Sequence, residues 1–166
     1  MEIKVIRSRR RRSTVGARLV KDILVVQAPE ALSEERLGDI IAGFKAKFER
    51  KRIKEELDSK KGLESAAARI NSRYFGDKLK VNSIEYVTTQ ECKFGCCNYQ
   101  SREIRISHKV GLMPAWVREY VLIHEMAHLV EPNHSRAFWD IVSRYRFSER
   151  ARGYLMAAGI YGGEGV

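Results

Sequence analysis

The segment His124-Glu125-Met126-Ala127-His128, followed by His134, contains the residue types of a metal-dependent hydrolase. Residues four apart on a helix lie on one face, so the imidazoles of His124 and His128 can bind one ion. Glu125 then lies beside the ion, where a carboxylate can accept a proton from an activated water molecule. The pattern therefore predicts a zinc-dependent peptidase with one zinc ion per chain. Its predicted metal ligands are His124, His128 and His134, and its predicted general base is Glu125.

Glu131 is an alternative third ligand, because it follows His128 by three residues and lies on the same side of a helix. Zinc peptidases with three histidine ligands usually have glycine at this position. Pro132 disfavours helical dihedral angles in the residue before it, so the chain is expected to turn there and bring His134 back towards the other two histidines. The third ligand is therefore predicted to be His134.

The predicted elements around the motif belong to the second half of the chain. Strands are predicted over residues 83–89 and 103–107 and are expected to pair antiparallel, with a turn-like stretch from Cys92 to Asn98 between them. The central helix should begin near Pro114, since proline suits a first turn. The remaining predictions are a helix from Asn133 or Ser135 that places Phe138 and Trp139 behind the site, and a last helix, capped by Ser148, through Ala158.

The first half is predicted to contain a β-hairpin and two helices. Three segments are rich in β-branched residues, over residues 3–8, 15–20 and 23–27, and Lys21-Asp22 suggests a turn between the last two. Ser33 is a suitable N-cap for a long helix that reaches residues 55–57. A second helix over residues 63–74 should end at Gly76.

A chain of 166 residues with 44% hydrophobic and 31% charged residues is expected to form a single globular domain. A soft boundary at residues 60–62 would separate a basic hairpin and helix region (1–60) from a catalytic core (61–166). No apolar stretch reaches the roughly 18 residues of a membrane span, and the amino terminus lacks the apolar core of a signal peptide. We therefore expect a cytoplasmic protein without membrane contact.

The positive charge is concentrated in the first half of the chain. Residues 1–83 contain 21 Lys and Arg against 12 Asp and Glu, whereas residues 84–166 contain 10 against 9. The densest basic patch is Arg9-Arg10-Arg11-Arg12, which could contact nucleic acid or another acidic partner. A solvated surface is the simpler interpretation, because basic runs alone are weak signals. The pattern does not indicate an oligomeric state.

The cysteines form one group, Cys92, Cys96 and Cys97. This spacing could not link distant parts of the chain by disulfides, so a reducing compartment is expected. A second metal site is less favoured than small side chains at a turn, because a fourth ligand is missing. His108 is expected to be an ordinary polar residue at a strand end. Four residues are candidates for stabilising an oxyanion and are not ranked by the sequence: Tyr120, His108, Arg136 and Tyr145.

The motif and its surroundings resemble the YgjP-like metal-dependent hydrolases, which are related to the SprT-like and WLM peptidases. The strongest similarity is in Val121-Leu122-Ile123-His124-Glu125-Met126-Ala127-His128-Leu129, followed by Asn133-His134-Ser135 and Phe138-Trp139. The arginine-rich start and the Ala28-Pro29 step are weaker matches. The family often has Trp-Gly-Ser-Cys where this chain has Phe94-Gly95-Cys96-Cys97. The resemblance covers most of the chain.

This resemblance implies a compact α+β, zincin-like metallopeptidase fold with a small antiparallel sheet, an active-site helix containing the HExxH motif, and an N-terminal β-hairpin plus long helix. It also implies zinc ligation by the three histidines and a catalytic role for Glu125. A peptide or protein substrate could bind in extended form along the edge of the strand over residues 103–107. The alternative function is a nucleic-acid-associated binding protein with a structural zinc site, in which the carboxylate of Glu125 would have no use.

Overall fold

The computed structural model describes residues 2–59, 62–90 and 93–158. The strands of this part are β1 (Glu2–Ser8), β2 (Gly16–Val20), β3 (Ile23–Pro29), β4 (Ser83–Val87), β5 (Gly95–Asn98) and β6 (Glu103–Ser107). Its helices are α1 (Glu34–Ser59), α2 (Gly62–Phe75), α3 (His108–Gly111), α4 (Ala115–Ala127), α5 (Arg136–Val142) and α6 (Ser148–Ala157). None of these helices has the length and apolar character needed to cross a membrane.

Two compact units divide the chain between Arg52 and Ile53, within α1. The predicted soft boundary lies a little later, and two of its residues, Lys60 and Lys61, are outside the described part of the chain. That all 166 residues form a single domain stays a prediction. The two units are described separately below.

The first unit contains a three-stranded sheet in the order β1-β3-β2. The hairpin between β2 and β3 is confirmed, and its turn residues Lys21 and Asp22 have φ angles of 47° and 64°. Left-handed angles at both positions are typical of a two-residue turn whose twist matches that of the strands. β1 lies parallel to β3 on its other side.

α1 packs its apolar residues on one face of this sheet. Leu24, Val26 and Ala28 alternate along β3 and are fully buried, in one cluster with Leu37 of α1. Alternation places successive side chains on opposite faces of a strand, so these three share the helix-facing side. The backbone N–H of Arg36 donates to the Ser33 Oγ atom at 3.4 Å, which confirms the predicted N-cap.

The second unit contains a mixed sheet in the order β4-β6-β5. The prediction that residues 83–89 pair antiparallel with residues 103–107 is wrong, because β4 and β6 are parallel. The antiparallel partner of β6 is β5, which lies within the stretch predicted as a turn. The chain between β4 and β6 is long enough to connect two parallel strands. β5 lies within this connection and pairs with β6 on the side away from β4. β6 is therefore the central strand, and β4 and β5 are the edges.

The helices of the second unit surround α4. α2 ends before Gly76, whose φ of +60° confirms the predicted glycine stop. Pro114 is the N-cap residue of α4 rather than part of its first turn. Ser135 caps α5 as predicted, since its side chain accepts a hydrogen bond from the Phe138 N–H. The prediction that Ser148 caps α6 is wrong: Phe147 occupies the N-cap, and Ser148 is a buried first residue of the helix.

Candidate metal centre

The end of α4 brings the three motif histidines to one place. α4 ends at Ala127, and His128 is its C-cap residue, still in helical conformation and one turn after His124. The N–H groups of Val130 and Glu131 both donate to the Ala127 carbonyl at 2.9 Å, so the last helical turn reaches Glu131, the residue before Pro132. The next segment places His134 just before the cap of α5.

The ligand atoms of His124, His128 and His134 all lie within 4.8 Å of one another. The Nε2 atoms of His124 and His134 are 3.2 Å apart. Two nitrogens bound to one tetrahedral zinc at 2.0–2.1 Å would be about 3.3 Å apart, so this pair already has the spacing of a zinc site. In the described part of the chain, this is the one cluster of histidine, cysteine and carboxylate groups that could hold a metal ion.

Hydrogen bonding at His128 leaves one ring nitrogen for an ion. Its Nδ1 atom lies 3.3 Å from the carbonyl oxygen of Glu131. If Nδ1–H donates there, the lone pair of Nε2 is free for metal binding, as in many sites where a carbonyl orients the ligand. Glu131 thus contributes its backbone, and its carboxylate is not part of the described ligand cluster.

Phe138 forms an aromatic base for the site. It is fully buried, and its ring centroid lies 4.8, 4.5 and 4.7 Å from those of His124, His128 and His134. Trp139 stacks on His134 with an interplanar angle of 25°. Close packing restricts the rotation of the imidazoles, so the ligand geometry is set before an ion binds. The sequence placed both aromatic residues behind the site, as the structure shows.

Burial favours the neutral imidazole of His124 and of His128. His124 is 5% exposed, and burial, together with His128, His134 and Arg152, lowers its pKa to about 3. The pKa of His128 is also lowered, chiefly by burial. Neutral imidazole is the form that binds a metal, so these two ligands need not lose a proton at neutral pH.

Glu125 lies on α4 between the two helical histidines and is 6% exposed. Burial raises the pKa of its carboxyl group to about 8, against a smaller lowering by Lys93. Cys97 of β5 is close enough to be affected: burial and then Glu125 and Cys96 raise the pKa of its thiol to about 12. A carboxyl group with a pKa near neutrality is suited to proton transfer.

The other candidates of the sequence are not brought into the cluster. Cys96 and Cys97 are free cysteines on β5, and Cys92 lies outside the described residues. His108 is the buried first residue of α3, with its Nδ1 atom 3.3 Å from the Val87 carbonyl oxygen. A metal site at the cysteines therefore has no support in the described part of the chain.

The oxyanion candidates differ in what their polar atoms contact. The Tyr145 hydroxyl is engaged with the Trp116 carbonyl at 3.0 Å and with Glu119 at 3.2 Å. The Tyr120 hydroxyl is buried and has no hydrogen-bond partner in the described part of the chain. Arg136 is exposed at the start of α5.

Gly95 is a site residue that the sequence reasoning missed. It lies on β5 directly against the Glu125 side chain. The available signal was the small residue in Phe94-Gly95-Cys96-Cys97. The segment was interpreted as a turn, so its contact with the motif helix could not be predicted.

The basic patch of the first unit is partly engaged in internal contacts. Arg9 forms an ion pair with Glu30 at 2.8 Å, and Arg11 donates to the Gln27 side chain at 2.6 Å. Arg10 and Arg12 are exposed and form no ion pair with the described residues. Two of the four arginines are therefore free to meet an anion.

Comparison with known proteins identifies the family. The profile of the YgjP-like metallopeptidase domain matches residues 46–147, which is more than half of the chain and includes the whole histidine cluster. A search of curated proteins finds no match. Among solved structures, the metallopeptidase zymogen of Pyrococcus abyssi abylysin is similar, with 20% identity over 57% of this chain and 92% of that one and a TM-score of 0.49. The chain belongs to the YgjP-like metallopeptidase family and is a metal-dependent peptidase.

Proposed function

We propose that this peptidase uses zinc, held by His124, His128 and His134, with Glu125 as its general base. The observation that carries the proposal is the convergence of three imidazoles beside a buried carboxyl group. Three nitrogen donors at this spacing suit a tetrahedral ion that keeps one open position. Bound zinc supplies Lewis acidity, which lowers the pKa of water and polarises a peptide carbonyl.

Glu125 would move the proton in both halves of the reaction. Its carboxylate accepts a proton from the attacking water and passes it to the leaving amine. A nearby cation favours the carboxylate over the acid, so metal loading should convert Glu125 to the form that accepts a proton. Burial of the side chain keeps this proton from exchanging freely with solvent.

We propose that an extended peptide substrate binds along β5. The sequence-based proposal of residues 103–107 is corrected here, since β6 lies between two other strands. The Ser107 N–H donates to the Phe94 carbonyl at 2.8 Å, which makes residues 94 and 107 a hydrogen-bonded pair. In an antiparallel ladder the next pairs alternate, so the backbone groups of Gly95 and Cys97 point to the outer edge. A peptide could pair with them beside Glu125.

Metal analysis of variants tests the ligand set. We expect one zinc per chain after dialysis without chelator, retained in Glu131→Ala and lost in His134→Ala, because only the His134 side chain belongs to the cluster. Glu125→Gln should retain zinc and lose cleavage of a general peptide substrate such as casein. Loss of zinc in Glu131→Ala with retention in His134→Ala would reject the ligand set, and full cleavage by Glu125→Gln would reject the base.

We further propose that Arg10 and Arg12 contact an acidic partner such as nucleic acid, because their side chains, unlike those of Arg9 and Arg11, form neither an ion pair nor a hydrogen bond with the described residues. The family assignment favours an enzyme over the alternative of a binding protein with structural zinc. A reducing, cytoplasmic compartment remains our proposal as well, supported by the free thiols of Cys96 and Cys97.

A further inference from the structure

Gly95 lies so close to the Glu125 side chain that a residue with a Cβ atom would not fit at position 95 unless Glu125 moved. A Cβ atom at Gly95 would lie 2.6 Å from Glu125 Oε1, 2.7 Å from Cγ and 2.8 Å from Cδ. Real Cβ atoms essentially never approach heavy atoms this closely. The missing side chain of Gly95 therefore provides the space that the Glu125 carboxyl group occupies.

The backbone conformation does not explain this glycine. Gly95 has no left-handed φ angle, in contrast to Gly76 with its φ of +60°. It lies in β5, paired with Ile106 of the central strand, where alanine could adopt the same dihedral angles. Space, rather than conformational freedom, is what alanine would lack here.

The backbones on both sides of the contact are held in place, so the Glu125 side chain is the part that can move. On the strand side, Gly95 is held by pairing with β6, whose Ile104 and Ile106 are fully buried. On the helix side, the neighbours Ile123 and Met126 of α4 are fully buried as well. Because close-packed interiors transmit strain, an added methyl group should displace the flexible end of Glu125.

We propose that Gly95 is a positioning residue, which holds open the slot where the Glu125 carboxyl group lies against the edge strand β5. This inference rests on the proposed role of Glu125 as the base. Gly95 would then combine two tasks, since its backbone faces the edge proposed for the substrate and its missing side chain admits the carboxyl group. The carboxyl group is thereby held next to the place where the scissile bond would lie.

Stability measurements test the contact without any activity. We expect Gly95→Ala to lower the thermal midpoint of the metal-free protein by roughly 2–10 °C, the range for one methyl group forced into a packed site. The same substitution in a Glu125→Gln background should have an equal effect, because glutamine has the same volume. In a Glu125→Ala background, the clashing atoms are absent and the shift should fall below about 2 °C. Equal shifts in all three backgrounds would overturn the contact.

Two other glycines provide matched controls. Gly153 on α6 has open space at its Cβ position, so Gly153→Ala should leave the midpoint and the cleavage rate unchanged or slightly raise the midpoint. At Gly111 a Cβ atom would meet the Leu57 side chain, with Cδ2 at 2.9 Å. Gly111→Ala should therefore lower the midpoint by a similar amount in wild-type and Glu125→Ala backgrounds. Of the three glycine substitutions, only Gly95→Ala should have a smaller effect on the thermal midpoint in the Glu125→Ala background than in wild type.

Kinetics test the positioning role. Gly95→Ala should retain one zinc per chain and lower kcat roughly 10- to 100-fold with KM within about two-fold, because the base is displaced while the edge of β5 remains. If Gly95→Ala leaves kcat unchanged while its effect on the thermal midpoint still depends on the residue at position 125, the positioning role is overturned. If Glu125→Gln cleaves peptides at the wild-type rate, the base assignment of the proposed function is wrong, whereas the coupling of midpoints still decides the contact itself.

Discussion

Replacing Glu125 by glutamine should stabilise the metal-free protein at alkaline pH. Burial raises the pKa of this carboxyl group from 4.5 to about 8, so the folded protein prefers its neutral form. The folded state then binds more protons than the unfolded state between these two values, and the stability from Glu125 falls as pH rises through this window. Glutamine has nearly the same shape and no charge to bury, so the variant should lack this loss.

The size of the effect follows from the width of the window. Each pH unit over which the folded state holds one extra proton changes the free energy of unfolding by about 1.4 kcal/mol. Between pH 6 and pH 9 the folded state holds that proton for about two units, so wild type should lose roughly 2–3 kcal/mol relative to Glu125→Gln. The buried histidines titrate in both proteins, so their contribution cancels in the difference.

Urea unfolding of chelator-treated protein provides the assay. The free energy of unfolding is measured for wild type and Glu125→Gln at pH 6, 7, 8 and 9 at constant ionic strength. The difference between the two proteins should change most from pH 6 to pH 7, less from pH 7 to pH 8, and least from pH 8 to pH 9. A difference that is the same at pH 6 and pH 9 would refute the burial of a protonated Glu125 in the metal-free protein.

Two further predictions concern the aromatic base and the basic patch. Phe138→Ala should lower the free energy of unfolding by about 3–5 kcal/mol and weaken zinc binding, because the ring is buried against all three histidines; chemical denaturation and zinc titration check this, and unchanged zinc affinity would contradict it. The double variant Arg10→Ala/Arg12→Ala should bind duplex DNA with an affinity that depends less steeply on salt concentration, by the amount expected for about two lost phosphate contacts. The control variant Lys45→Ala/Lys47→Ala on α1 removes the same charge and should change the slope of log affinity against log salt concentration less.

Local sequence patterns predicted much of the fold and the convergence of the three histidines at the candidate site. The N-cap at Ser33, the hairpin turn at Lys21-Asp22 and the glycine after α2 each depend on neighbouring residues, and the structure shows all three. His124 and His128 converge because helical spacing alone places them on one face. The starts of α4 and α6 were predicted less accurately, since caps depend on single hydrogen bonds that tertiary packing can shift.

Only the tertiary structure decided the sheet around the site. The sequence indicates strands over residues 83–89 and 103–107, but not their relative direction or which strand is central in the sheet, because strand pairing is a contact between distant segments. The sequence of β5 contains short side chains and predicts a turn. It forms a strand because it pairs with β6. Correcting this error moves the proposed substrate edge from residues 103–107 to Gly95–Asn98.

The residue types for the chemistry are therefore set by the sequence, and their packing is set by the fold. Histidines at helical spacing lie on one face wherever the helix forms, so the sequence alone predicts which residues could hold an ion. The raised pKa of Glu125 and the lowered pKa of His124 arise from burial, which depends on everything packed around α4. The contact of Gly95 with Glu125 joins an edge strand to a helix, and no pattern along the chain contains that distance.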